Sequence, residues 1–347
     1  MMPPNQPLRV DVRKRDRSPA SRRPLASRIM WGIVLALLAT GLVMPQRTPS
    51  DQTPLPGAAK PPFDTDRAYN YLVKICELGP RVSGSPGMSR QQKLVAEHLA
   101  QHGAKVWMQT FDVSHPLTAE PVRMANLIAT WHPEARERVL LACHYDTRPL
   151  PDREPDRRQI RAGTFLGAND GASGVALFME LAHHMQQLKC RYGVDFVLFD
   201  GEELVFREGD PYFLGSGHFA QNYKDEPPEH RYVYGVVVDM IGDRNLKIYM
   251  EKNSLRYAPE LTRSLFAAAR RLREDAFIPQ ARHEVQDDHL PLNKVAGIPT
   301  CDLIDFDFPH WHTTKDVPAA CSGASLGKVG RVLQAWLADV PVPVKEK

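Results

Sequence analysis

Three runs with scarcely a polar residue, 139–143 (VLLAC), 194–199 (VDFVLF) and 232–238 (YVYGVVV), set the tightest limit on how this chain folds. A half-exposed strand alternates apolar and polar residues, whereas a strand covered on both faces is apolar throughout. Central strands need helices on both sides, and the intervening segments carry helical spacing: 88–102, with Leu94, Val95, His98 and Leu99, stopped by Gly103; 172–188; 255–272; and 326–340. A first helix capped by Asp64 or Asp66 runs to Leu78, the loop 79–87 (GPRVSGSPG) follows it, and further strands are expected at 125–131 and 298–304. The expected fold is a single globular α/β domain over 63–347, a central mixed and mostly parallel sheet flanked by helices, without internal repeats.

Before that domain the composition changes. Residues 1–28 hold Arg9, Arg13, Lys14, Arg15, Arg17, Arg22, Arg23 and Arg28, residues 29–44 (IMWGIVLALLATGLVM) carry no charge, and residues 45–62 form a Pro-rich linker. The net charge of +3 therefore sits in the tail and the remainder is slightly acidic, which argues against a nucleic-acid surface. An apolar run this short with basic residues before it fits a signal-peptide core or a short signal anchor. No small-x-small cleavage site follows, so the favoured expectation is an anchor with the tail inside and the α/β domain on the extracytoplasmic side; a cleaved, secreted form is the alternative. The five scattered cysteines suggest neither a zinc knuckle nor a dense disulfide framework. Nothing in the pattern specifies an oligomeric state.

The chemistry-bearing residues follow the apolar runs. His144 and Asp146 end the first, a spacing that lets the carboxylate hold the imidazole and fix its tautomer. Glu202 and Glu203 end the second; on an extended backbone such neighbours point to opposite sides, so each would need its own partner. Asp239 ends the third. Asn169 and Asp170 stand among small residues in FLGANDGASG (165–174), where Asp170 either caps a helix or approaches a cation closely. His310 and His312 flank Trp311 in FPHWHTTKD (308–316). Strand ends of an open α/β sheet share one crevice. Several carboxylates gathered there are costly unless a cation compensates them, so a metal is the economical explanation.

The motifs LACHYD (141–146), FDGEE (199–203), YFLGSGHFA (212–220), DMIG (239–242), QDDHLPL (286–292) and FPHWHTTKD, in this order, resemble the zinc exopeptidase superfamily. Several of them are similar to its glutaminyl-peptide cyclotransferase branch. The resemblance implies a catalytic zinc held by Asp170, Glu203 and His312, with Asp146 supporting His144. It makes Glu202 the proton shuttle, with Asp239 and Asp287 in a carboxyl network beside it, and it places Trp311, Phe308 and Gln286 around the substrate. In two-metal relatives, residues matching His144, Asp170 and Asp239 hold a second ion, so one zinc is expected and two are allowed. The chain departs from the branch at Phe206, followed by Arg207, Glu208 and Gly209 where an aromatic is usual, and it lacks the cysteine that would pair with Cys143. The activity implied is acyl transfer, cyclising an N-terminal glutaminyl residue of a peptide or protein to pyroglutamyl and releasing ammonia. Zinc aminopeptidase hydrolysis is the alternative, and a binding protein on an inactive frame is disfavoured because no ligand position is lost.

Overall fold

The computed structural model describes residues 63–343. The basic tail, the apolar run 29–44 and the Pro-rich linker 45–62 lie outside the described residues. Among the described residues no helix is long and apolar enough to cross a membrane. In chain order the elements are α1 (Thr65–Glu77), α2 (Pro86–Gln101), β1 (Lys105–Ser114), β2 (Pro121–Trp131), β3 (Glu137–His144), α3 (Arg157–Ala162), α4 (Ser173–Met185), β4 (Gly193–Phe199), α5 (Leu214–Asp225), β5 (Arg231–Asp239), β6 (Ile248–Met250), α6 (Lys252–Tyr257), α7 (Pro259–Leu272), β7 (Phe277–Ala281), α8 (His289–Lys294), β8 (Thr300–Ile304) and α9 (Gly323–Leu337).

The main sheet is mixed, in the order β1-β2-β4-β3-β5-β8. The pairs β4–β3, β3–β5 and β5–β8 are parallel, and β1–β2 and β2–β4 are antiparallel. Along β3, Val139, Leu141 and Cys143 enter the larger core with α1, α4 and α9, while Leu140 and Ala142 enter a smaller one with Phe219 of α5 and Leu292 of α8. Successive side chains point to opposite faces, so covering both faces requires the continuous apolar run. Asp195 is tolerated inside β4 because Arg138 donates to it at 2.7 and 2.9 Å and the Tyr232 hydroxyl at 2.6 Å.

The structure departs from the sequence expectation in several elements. The helix expected over 255–272 is two helices, because Pro259 has no N–H to donate and begins a new one, α7. The edge strand β1 alternates exposed and half-buried residues and escapes a search for apolar runs. The strand expected from residue 298 begins at Thr300. All five cysteines are unpaired, Cys143 among them.

Candidate active site

The carboxyl ends of β3, β4 and β5 converge on a cavity of about 350 Å³, which the turn after β4 and the loops around Asp170, Gln286 and His312 complete. Asp170, Glu202, Glu203, Asp239, Gln286, Asp287, Trp311 and His312 all line it.

Local structure aims each carboxylate. Asp170 precedes α4, and its backbone N–H, like that of Asn169, donates to the buried carboxylate of Asp316, at 3.1 and 2.7 Å. Gly171 has φ +94°, and a Cβ there would lie 2.5 Å from the Asp146 carbonyl oxygen, so only glycine fits. The buried Arg81 guanidinium holds the preceding loop through the carbonyls of Leu166 and Gly167, at 2.7 and 2.9 Å.

Glu202 and Glu203 are not on extended backbone. They follow Gly201, which has φ +75°, in a turn whose N–H groups donate to the two carboxylate oxygens of Asp146, at 3.1 and 2.9 Å. The turn brings both glutamates to one cavity, and the expected division onto opposite sides is replaced by this arrangement. Asp146, 3.7 Å from His144 Nδ1, thus faces the imidazole and also holds the glutamate turn, a second role that the sequence did not suggest.

His312, at φ +56°, sets Nε2 2.7 Å from Glu203 Oε1 and 3.5 Å from Asp170 Oδ2. Its Nδ1 lies 3.0 Å from Asp152 Oδ1. On the other side of Asp170, Oδ1 lies 3.2 Å from His144 Nε2, which is 3.1 Å from Asp239 Oδ1. Asp170 thus stands between two groups of donors, Asp170–Glu203–His312 and His144–Asp170–Asp239.

The electrostatics are those of crowded carboxylates. Burial, and then the charge of Glu203, pushes the Glu202 carboxyl well above the usual range. Burial carries Asp239 to about 7 against the pull of His144. Burial lowers His312, but Glu203 and Asp152 outweigh it and bring the imidazole to about 9.

The wall differs from expectation in one residue. Phe308 is buried and packs with Met240, Val285 and Ile304, which themselves line the cavity, and Phe306, 5.0 Å from Trp311 between ring centres, lines it in place of Phe308. The Arg153 guanidinium lies 3.8 Å from the centre of the Trp311 ring. Asp152 and Asp316 are the functional neighbours that the sequence reading missed. Asp316 ends the FPHWHTTKD motif and Asp152 lies in the loop between β3 and α3, but nothing local marks either as the residue that reaches the site.

The pattern of peptidase family M28 matches residues 126–337. Among curated relatives, a glutaminyl-peptide cyclotransferase of Bothrops jararaca is 27% identical over 296 residues, 75% of this chain and 77% of that protein. Among solved structures, Fimbriiglobus ruber glutaminyl cyclase superposes with a TM-score of 0.78 at 42% identity, covering 81% of this chain and 96% of that one. A leucine aminopeptidase precursor from Bacteroides thetaiotaomicron gives 0.76 at 29%, covering 82% and 99%. With the strand-end carboxylates and His312 gathered at one cavity and the family pattern spanning most of the α/β domain, this chain belongs to peptidase family M28.

Proposed function

We infer that this chain is a zinc-dependent glutaminyl-peptide cyclotransferase. The observation that carries the choice is a contrast at nearly equal coverage: 42% identity to a glutaminyl cyclase against 29% to a protein described as a leucine aminopeptidase precursor. Hydrolysis by a metallo-aminopeptidase is the second reading, favoured by that same neighbour's TM-score of 0.76.

The residues fit a zinc ion. Asp170 Oδ2 is buried without a hydrogen-bond partner and faces the His312 imidazole, and Glu203 supplies a second carboxylate. Three nitrogen and oxygen donors beside an open cavity are the donor set of a catalytic zinc. We assign Asp170, Glu203 and His312 to that ion, with His144 and Asp239 as the additional donors if a second is held. When bound, zinc would supply Lewis-acid polarisation of the substrate's side-chain amide carbonyl.

In the cyclisation, the α-amino nitrogen forms a bond to Cδ of its own glutaminyl side chain, the Cδ–NH₂ bond breaks, and ammonia leaves. Glu202 would take the proton from the attacking amine and deliver it to the leaving nitrogen. Its raised affinity for a proton suits both transfers. Asp239 and Asp287 would hold the amine and the shuttle in register, and Trp311, Phe306 and Gln286 would enclose the side chain. Asp152 fixes the ring orientation of His312, and Asp146 holds the turn carrying Glu202 and Glu203.

The N-terminal composition supports export with the catalytic domain outside and residues 29–44 as its membrane attachment. The test uses Gln-led and Leu-led peptides with the purified protein and its Glu202→Gln variant. The expected result is ammonia and a blocked amine from the Gln-led peptide alone, with turnover reduced roughly 10²- to 10⁴-fold in the variant. Free leucine without ammonia would establish hydrolysis instead, and full activity of the variant would remove Glu202 from the chemistry.

A further inference from the structure

A second group of metal-binding side chains lies outside the active site. His98 and His102 are one turn apart at the end of α2, and His183 lies in the last turn of α4. Each is half-buried, and one ring nitrogen from each falls within 4.8 Å of the others. At 1.5 Å per residue, His183 is roughly 15 Å along α4 from its first turn at the catalytic cavity.

The hydrogen bonds decide which nitrogens are free. His98 Nε2 lies 2.7 Å from the carbonyl oxygen of Met179, which only accepts, so Nε2 carries the proton and Nδ1 is bare. His102 Nδ1 lies 2.8 Å from the carbonyl oxygen of His98, so its Nε2 is bare in the same way. That bare nitrogen is 3.1 Å from His183 Nδ1, and His183 Nε2 is 2.8 Å from the Tyr71 hydroxyl. With no ion present, His183 donates from Nδ1 to His102 and accepts from Tyr71. The other neutral tautomer donates from Nε2 to the Tyr71 oxygen and leaves Nδ1 bare. The hydroxyl serves in either direction, so the exchange strands no polar atom.

We propose that His98, His102 and His183 form a three-imidazole site for a divalent transition-metal cation such as Zn²⁺, Ni²⁺ or Cu²⁺, which clamps the end of α2 to the end of α4. Metal-bound histidines characteristically donate their other ring N–H to a backbone carbonyl or a similar acceptor. Here the acceptors are the Met179 carbonyl, the His98 carbonyl and the Tyr71 hydroxyl. Zinc–imidazole bonds of about 2.0–2.1 Å at tetrahedral angles separate ligand nitrogens by roughly 3.3 Å. His102 and His183 already have that spacing, and a ring nitrogen of His98 lies within 4.8 Å of both. The partial exposure of all three leaves room for water as a fourth ligand. Neutral imidazoles are required, and the tautomers set by these hydrogen bonds supply them.

The test compares the zinc-loaded protein with its His102→Gln and His183→Gln variants, using Zn²⁺ and Ni²⁺ in separate experiments. Bound metal per chain is measured after equilibrium dialysis, and the thermal midpoint with and without added metal. The expected result is one more equivalent in the wild type than in either variant, a metal-dependent rise in midpoint only in the wild type, and unchanged peptide turnover in all three. A second ion in the active site would survive both substitutions, so equal metal content in the three proteins overturns the proposal. So does a midpoint rise that persists in the variants. Because the readout is metal content and melting, failure here is distinguishable from failure of the proposed activity.

Discussion

Asp152 is the residue whose removal best separates holding a metal ligand from touching the reaction. Its Oδ1 lies 3.0 Å from His312 Nδ1 and its Oδ2 accepts from Arg148 Nη2 at 2.8 Å. Burial opposes its ionisation, but His312 and Arg148 outweigh that and hold the carboxyl at about 2, so it is a carboxylate at any working pH. A hydrogen bond to a charged group contributes about 1.5–3 kcal/mol. The Asp152 side chain is 40% exposed, and solvent screening reduces the figure to about 1–2 kcal/mol. Asp152→Ala should therefore weaken zinc binding about 5- to 30-fold, overlapping the lower part of the roughly 10- to 100-fold range found for groups that orient metal-bound histidines.

The assay is a chelator-competition titration of the metal-free protein, followed by kcat/KM at saturating zinc. Asp152→Ala should lose affinity by that factor and recover most of its activity once zinc is saturating. Asp152→Asn, which keeps an acceptor without the charge, should fall between. Arg148 supplies the control, because it bonds Asp152 and also lies 3.5 Å from Glu203 Oε1. An Arg148→Met variant keeps the Asp152–His312 contact and should lose less. Zinc affinity of Asp152→Ala within twofold of the wild type would refute the reasoning. Equal losses in the two variants would move the effect from His312 to Glu203.

Two further outcomes concern stability. Burial pushes Asp305 up to about 6, whereas an unfolded aspartate titrates near 4; between those values the folded state holds more protons, so stability falls as pH rises through the window, by up to about 3 kcal/mol. Asp305→Asn should flatten urea-derived stability between pH 4 and 6, and an unchanged slope would exclude this group as the cause. Arg138→Met leaves Asp195 buried in the sheet without its cation and should cost about 3–5 kcal/mol in urea unfolding; a loss under 1 kcal/mol would show that Tyr232 alone satisfies that carboxylate.

The parts of this molecule legible in its sequence are those that local pattern dictates. Strands β3, β4 and β5 are apolar at nearly every position because both faces are covered, and that alone announces central strands with helices on either side. Element ends were less legible where a single residue overrides a pattern, as Pro259 does between α6 and α7. The edge strand β1 was invisible for the opposite reason: one side faces water, so no long apolar run marks it.

The site divides along the same line. Carboxylates after buried strands stand out because charge is expensive there, and that argument singled out Glu202, Glu203 and Asp239 without any coordinates, whereas Asp170 was marked only by its small neighbours before a helix. The residues that aim those groups could not be found so, since their partners are remote in sequence. Asp316 accepts from Asn169 and Asp170 across more than 140 residues, and Asp146 orients a turn more than 50 residues away. Asp146 illustrates how local reasoning stops short. Two positions from His144, it suggested an Asp–His pair, and it does face the imidazole at 3.7 Å, but the turn at Gly201 presents two N–H groups that are closer, at 2.9 and 3.1 Å. Those contacts bring both glutamates into one cavity. Adjacent carboxylates that an extended strand would have parted are thereby placed so that Glu203 can hold an ion while Glu202, beside it, can take up a proton and pass it on.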